Sequence, residues 1–245
     1  MLEKSTINRV KSLNNKKYRQ SEQLFVAEGS KIILELLGSK IQIEQVFATQ
    51  DWAAKYENRI KANKLVIATQ KELERMSGLK SIPDVLMLAK IPIQKFNASL
   101  LSNSLTIALD TIQDPGNLGT IIRTADWFGI KNIVCSQSCA DVYNNKTIQA
   151  SMGSFARVNI FYEDLKTLFS ENKFQIFGAV LNGKNISEIK PPQNGILLIG
   201  NEGNGISTEL IPFITQNISI PKYGEAESLN AAVATSIICA HFIMK

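Results

Sequence analysis

Apolar positions in this chain follow two alternating rhythms, short β-like runs and stretches at helical spacing, from about residue 22 onward. Between 22 and 92 the order is EQLFVAEG, SKIILELLGSK, IEQVFAT, DWAAKYENRIKAN, KLVIAT, QKELERMSGL and DVLMLAKIP, which predicts a small α/β unit. Residues 91–104 (IPIQKFNASLLSNS) mix Pro, Asn and Ser without a period and read as a linker. Five buried strands follow, at LTIALD (105–110), NIVCS, FQIFGAV, GILLIG and NISIP. Helix-like segments at Leu118–Phe128, Glu163–Glu171 and Ser228–Met244 alternate with them. All-apolar strands flanked by helices imply a parallel sheet covered on both faces. The expected fold is therefore α/β, with a small unit over 1–95 and a doubly wound domain over 104–245. In the last helix Leu229, Val233, Ile237 and Ala240 fall on one face.

Composition narrows the classes. A chain of 245 residues, 44% hydrophobic and 20% charged, can bury a sizeable core as one large or two small domains. It has no apolar run long enough to span a bilayer, and its first residues lack the apolar core of a signal peptide. A cytoplasmic protein with no membrane association is expected. Cys135, Cys139 and Cys239 form no CxxC, and His241 is the sole histidine, so neither a metal site nor a disulfide framework is expected. The net charge of +5 is compatible with a polyanionic partner. Residues 1–19 hold Lys4, Arg9, Lys11, Lys16, Lys17 and Arg19 against Glu3 alone, which fits either a solvated basic helix or a phosphate-contacting arm.

Open parallel sheets bind ligands beyond the carboxyl ends of their strands. Three loops should lie there: DTIQDPGNLGTIIRTADWFG (110–129), LIGNEGNGIS (198–207) and ISIPKYGEAESLNAAVA (218–234). In the first, Asn117 is a candidate N-cap, and Arg123 lies among apolar neighbours where a guanidinium would need a partner. The second surrounds Glu202 with Gly200, Gly203 and Gly205, but its order is not the dinucleotide GxGxxG, and alone it reads as a flexible turn. In the third, Ser228 could cap the last helix, which leaves Asn230 and the long KYGEAE connection unexplained.

Together these loops resemble the SpoU, or TrmH-like, branch of the SPOUT RNA methyltransferases. The motifs that carry the resemblance are Asp114-Pro115-Gly116-Asn117-Leu118-Gly119 with Arg123-Thr124-Ala125, Gly200-Asn201-Glu202-Gly203-Asn204-Gly205, and Ile220-Pro221 with Ser228-Leu229-Asn230. The resemblance implies a C-terminal SPOUT domain with a deep trefoil knot, a homodimer with its site completed across the interface, and an N-terminal RNA-substrate-binding domain. The apolar faces of the first and last catalytic-domain helices become the candidate dimer surface.

The same resemblance implies transfer of a methyl group from S-adenosylmethionine to a ribose 2′-hydroxyl, in ribosomal RNA rather than transfer RNA. Gly200, Ile220 and Leu229 would contact the cofactor, chiefly through backbone groups. Asn117, Arg123, Glu202, Ser228 and Asn230 would form the catalytic and RNA-positioning set. Guanidinium groups stay protonated in proteins, so the expected role of Arg123 is a fixed cation, with Asn117 and Glu202 orienting it or the nucleotide. The chain departs from the pattern between Pro221 and Ser228, where Lys-Tyr-Gly-Glu-Ala-Glu stands and relatives often carry Met after the proline, and at Ala231-Ala232. Two rivals are an RNA-binding member without catalysis and a nucleotide-dependent oxidoreductase. The intact polar set argues against the first, and the lack of GxGxxG after any strand against the second.

Overall fold

The computed structural model describes residues 2–79, 81–101 and 104–244. The N-terminal part runs α1 (Lys4–Ser12), α2 (Lys16–Glu22), β1 (Leu24–Glu28), α3 (Ser30–Leu37), β2 (Ile43–Ala48), α4 (Gln50–Tyr56), β3 (Leu65–Ile67), α5 (Gln70–Met76) and β4 (Val85–Lys90). Its sheet has the order β1-β4-β2-β3, antiparallel except for the β2–β3 pair. Alternate residues of a strand face opposite sides, and here both sides are covered. Leu24 and Val26 meet Ile7, Val10 and Leu13 from α1 and the turn after it, with Leu73 and Met76 of α5. Phe25 and Ala27 point the other way, into a core that continues through Ile121, Ile148 and Phe155 of the second sheet's layer.

The basic segment is thus neither a detached arm nor wholly solvated. Its α1 buries one face, and Arg19 is itself buried, donating to the carbonyls of Leu13 (2.8 Å) and Asn14 (2.9 Å) and pairing with Asp141. A buried cation needs such a partner set, and this one ties the first two helices to the second sheet's loops.

The second part contains β5 (Leu105–Leu109), α6 (Pro115–Trp127), β6 (Asn132–Cys135), α7 (Asn145–Ser151), β7 (Asn159–Tyr162), α8 (Leu165–Glu171), β8 (Ile176–Asn185), β9 (Gly195–Ile199), β10 (Gln216–Ser219) and α9 (Ala231–Met244). All its strand pairs are parallel, in the order β10-β8-β9-β5-β6-β7. The expected parallel α/β architecture is present, with one strand more than the five read from the sequence. The addition, β7, is a short, partly exposed edge strand without an all-apolar run. Of the linker, Ser102 and Asn103 lie outside the described residues.

Helix ends follow side-chain chemistry. Asp114, not Asn117, caps α6 by accepting from the Asn117 N–H at 2.9 Å, with Pro115 at the first helical position, where its missing N–H costs nothing. Asp164 caps α8, so Glu163 lies outside that helix. Gly119 lets α6 and α7 touch, because a Cβ there would come within 2.5 Å of the Thr147 carbonyl oxygen. The last helix starts at Ala231 rather than Ser228, and its cap is Asn230, whose Oδ1 accepts from the N–H groups of Ala232 (2.9 Å) and Val233 (3.3 Å).

The face of α9 carrying Val233 and Ile237 points outward, while Ala231, Ala232, Thr235, Ile238, Cys239 and Phe242 are buried. Among the described residues no helix is long and apolar enough to cross a membrane.

Candidate active site

The carboxyl ends of β5 and β9 lie side by side, with Leu109 paired to Ile199, so the loops that follow emerge together. Asp110 closes β5 and is buried. One of its oxygens accepts from the Ser207 N–H at 2.7 Å and the other from the Thr111 hydroxyl at 2.9 Å, joining the two loops at their roots. Thr111 holds a left-handed backbone with φ of 59°, costly for a β-branched residue. Its surroundings fix it there: its N–H donates to Ser136 Oγ, its hydroxyl meets Ser138 Oγ at 3.1 Å, and its carbonyl accepts from Asn201 Nδ2 at 2.9 Å.

Asn201 also organises its own loop. Its Oδ1 accepts from the N–H groups of Gly203 (2.9 Å) and Asn204 (3.2 Å), and its backbone pairs with Gly205. Gly200 is required for this turn, since a Cβ there would lie 2.2 Å from the Gly205 carbonyl carbon. Glu202 is thereby presented toward the first turn of α6.

Three polar side chains meet at that point. Asn117 Nδ2 donates to Glu202 Oε1, and Asn117 Oδ1 accepts from Asn230 Nδ2 at 2.9 Å. Because Asp114 takes the capping role, the Asn117 side chain is free to bridge the other two loops. Asp114 is in turn braced by Lys146 Nζ at 2.7 Å, and this contact, with the Asn117 N–H, holds its carboxyl below the usual aspartate range. Residues separated by 113 positions in the chain therefore form one hydrogen-bonded row on a single rim of the sheet.

The other expected residues are placed differently. Gly200 roots the second loop, and Ile220 packs half-buried against the main core. Ser228 and Leu229 lie on the exposed stretch 222–230. Arg123 is exposed, and among the described residues it has no hydrogen-bond or ion-pair partner in this chain, so neither Asn117 nor Glu202 orients it here. Six residues on from Asn117 in the same helix, it sits about 120° around the axis and about 9 Å along it.

Sequence reasoning passed over Asp110, Thr111, Asn201 and Lys146. Asp110 had a usable signal, an acid closing an all-apolar strand at its ligand-facing end. Two clefts of about 260 and 240 Å³ lie elsewhere, the first lined in part by Phe96, Tyr143 and Phe161 and the second by Glu28, Ser30 and Gln149. Neither includes Asn117, Glu202 or Asn230, whose row lies open beside the exposed third loop.

Comparison with known proteins bears on this rim. Residues 104–240 match the model of the SpoU rRNA Methylase family. The chain belongs to the SpoU family. Outside the SpoU match, residues 4–87 match an MRM3-like substrate binding domain. The SpoU chain is 30% identical over 240 residues to the 23S rRNA (guanosine(2553)-2'-O)-methyltransferase RlmP of Bacillus subtilis, covering 94% of this chain and 93% of that one.

Two solved structures are similar along nearly their whole length. A protein of the TrmH RNA methyltransferase family from Porphyromonas gingivalis has a TM-score of 0.87 at 33% identity, covering 100% of this chain and 99% of that one. An AdoMet-bound rRNA methyltransferase from Sinorhizobium meliloti has a TM-score of 0.83 at 28% identity, covering 99% and 95%.

Proposed function

We propose that the protein transfers a methyl group from S-adenosylmethionine to a ribose 2′-hydroxyl of ribosomal RNA, and that Asn117, Glu202 and Asn230 form the centre of its site. The observation that carries this reading is the Glu202–Asn117–Asn230 row, which joins all three motif loops at the ligand-binding rim. When bound, S-adenosylmethionine would supply a sulfonium methyl: the new O–CH₃ bond would form as the S–CH₃ bond breaks, with S-adenosylhomocysteine leaving and the hydroxyl proton passing to water.

The residues present suit such a group. Ile220 and the exposed Leu229 offer apolar contact, while the surrounding main chain offers donors and acceptors for a purine and a ribose. The chain's own tasks are alignment and charge control. Glu202 uses Oε1 for Asn117, leaving Oε2 to accept the hydrogen of a nucleotide hydroxyl. Ser228, on the third loop, contributes a hydroxyl toward the ribose.

Arg123 acts from another direction. It lies four residues before Trp127 on α6 and so shares its face. Trp127 is 85% exposed, and Val233, Ile237 and Met244 of the adjoining α9 are also exposed; Thr124 and Ser236 link the two helices at 2.9 Å. An apolar patch of this kind on a helix that is apolar all round calls for a partner surface. A homodimer formed through α6 and α9 covers it and turns Arg123 of each protomer toward the other, where a fixed cation faces the developing alkoxide or a phosphate.

The threaded last helix of the resemblance is supported by chain path. β10 lies at the sheet edge beside β8, yet α9 returns to pack on α6, which follows the more central β5. Residues 1–95 serve as the RNA-substrate-binding domain.

The test is methyl transfer from labelled S-adenosylmethionine into unmodified large-subunit ribosomal RNA made in vitro, with the modified position mapped as 2′-O-methyl. Glu202→Gln should lower kcat by about 10²–10³-fold while cofactor binding by calorimetry changes little. A wild-type protein that binds no cofactor and labels no RNA overturns the assignment.

A further inference from the structure

The methyl-transfer reading gives residues 1–95 to RNA binding without naming the groups that hold the strand, and the turn between α1 and α2, flanked by lysines, is physically connected to the catalytic row. Asn14, in that turn, accepts from Asn145 Nδ2 at 2.7 Å. The next residue, Lys146, reaches Asp114 at 2.7 Å, and Asp114 holds the Asn117 N–H. Arg19 fastens the underside of the turn through the Leu13 and Asn14 carbonyls and Asp141. The turn is thus fixed with respect to the active site, not tethered to it loosely.

Charge accounting on this surface is one-sided. Arg9 is paired with Glu22 at 2.6 Å, and Arg19 with Asp141, so the nearby acids Glu22 and Asp141 are already matched. Glu28 beneath the turn is enclosed by Ser77, the Gly78 N–H and Asn145, and burial raises its carboxyl pKa, disfavouring its charge. Lys11, Lys16 and Lys17 remain exposed, and among the described residues none has an acidic partner. Lys146 is also exposed, with its single acid serving as a helix cap.

We propose that Lys11, Lys16, Lys17 and Lys146 form a phosphate-binding ridge that carries the RNA strand flanking the target nucleotide from the α1–α2 turn to Asn117. This rests on the reading of the site as an RNA methyltransferase. The ridge is sequence-independent: lysines act on phosphate as point charges, giving register and affinity while the loops select the ribose. Lys146 is the last cation before the site, shared between Asp114 and the incoming backbone.

The experiment compares wild type, a Lys11→Gln/Lys16→Gln/Lys17→Gln variant, and a charge-matched control, Lys61→Gln/Lys173→Gln/Lys190→Gln, on unmodified large-subunit ribosomal RNA transcribed in vitro. The altered side chains are exposed, so melting temperatures should agree. For the ridge variant the slope of log Kd against log salt should fall by about 2–3, at roughly 0.7–0.9 per lost phosphate contact. KM for RNA should rise about tenfold or more with kcat and cofactor affinity retained, and the control should match wild type. Lys146→Gln should raise KM as well, and Lys146→Arg should restore it.

Equal salt slopes and KM values for wild type and ridge variant overturn the ridge while methyl transfer stands. Binding to phosphatidylserine vesicles that is lost in the ridge variant, with RNA binding unchanged, also overturns it. A wild type inactive in transfer sinks the methyltransferase reading instead, and the salt slopes still decide whether the ridge holds RNA.

Discussion

The loops after β5 and β9 are held from within by Asp110, Thr111 and Asn201, whereas the loop after β10 is exposed from Lys222 to Asn230 and, among the described residues, its side chains are held at Asn230, which bonds Asn117 and the first turn of α9. The first two present Asn117 and Glu202 from a fixed frame. The third holds Ser228 and Leu229 on a stretch with little packing of its own. The contrast is one of support: one half of the rim is preorganised by its own hydrogen bonds, and under the proposed function the other half would be the part that closes over cofactor and substrate.

The largest effect should come from loosening the rigid half. Asn201→Ala removes the bond to the Thr111 carbonyl and both N–H contacts in its own loop, shifting Glu202 from Asn117. A misplacement near 1 Å costs about 10²-fold, so kcat should drop by that order while the fold persists. Wild-type turnover in this variant would show that the clamp is dispensable. Asp110→Ala should act on stability first, lowering urea-unfolding free energy by about 1–3 kcal/mol, because the Ser207 N–H loses its acceptor.

Acid should also act on the rigid half. The Asp114 carboxyl is depressed below 3.8 by Lys146 and the Asn117 N–H, so its stabilising contribution is complete above that value and is lost as pH falls through the depressed one. Lys146→Met should move this acid limb of the urea-unfolding profile to higher pH; an unchanged limb removes Lys146 as the cause. The smallest effect is expected in the third loop. Gly224 has no neighbouring atoms in the way of a Cβ and no positive φ, so Gly224→Ala should shift unfolding free energy by no more than about 0.5 kcal/mol. A large loss there would mean that this loop is packed as firmly as the others.

Sequence reading recovered what local pattern encodes. The apolar runs at 105–109 and 195–199 were legible because both faces of those strands are buried, and the family resemblance singled out Asn117, Glu202 and Asn230, whose side chains the structure joins by hydrogen bonds. Edge strand β7 was not legible, since Asn159 is exposed and Ile160 and Tyr162 are only partly covered, leaving Phe161 as its one buried residue. Ile7, Val10 and Leu13 carried the docking face of α1, but interleaved lysines masked it. In α9 apolar residues occur on every side, so periodicity could not say that Val233 and Ile237 face outward. The two cap assignments failed for one reason: side chains at Asn117 and Ser228 compete with nearby Asp114 and Asn230, and only the tertiary partners decide between them.

Asn230 spends its carbonyl oxygen on the opening turn of α9 and its amide on Asn117. Until that helix has docked, the row lacks one of its three members, however completely the rest has folded. Catalytic competence should therefore be the final property gained during maturation, appearing in refolding time courses after the sheet is already assembled.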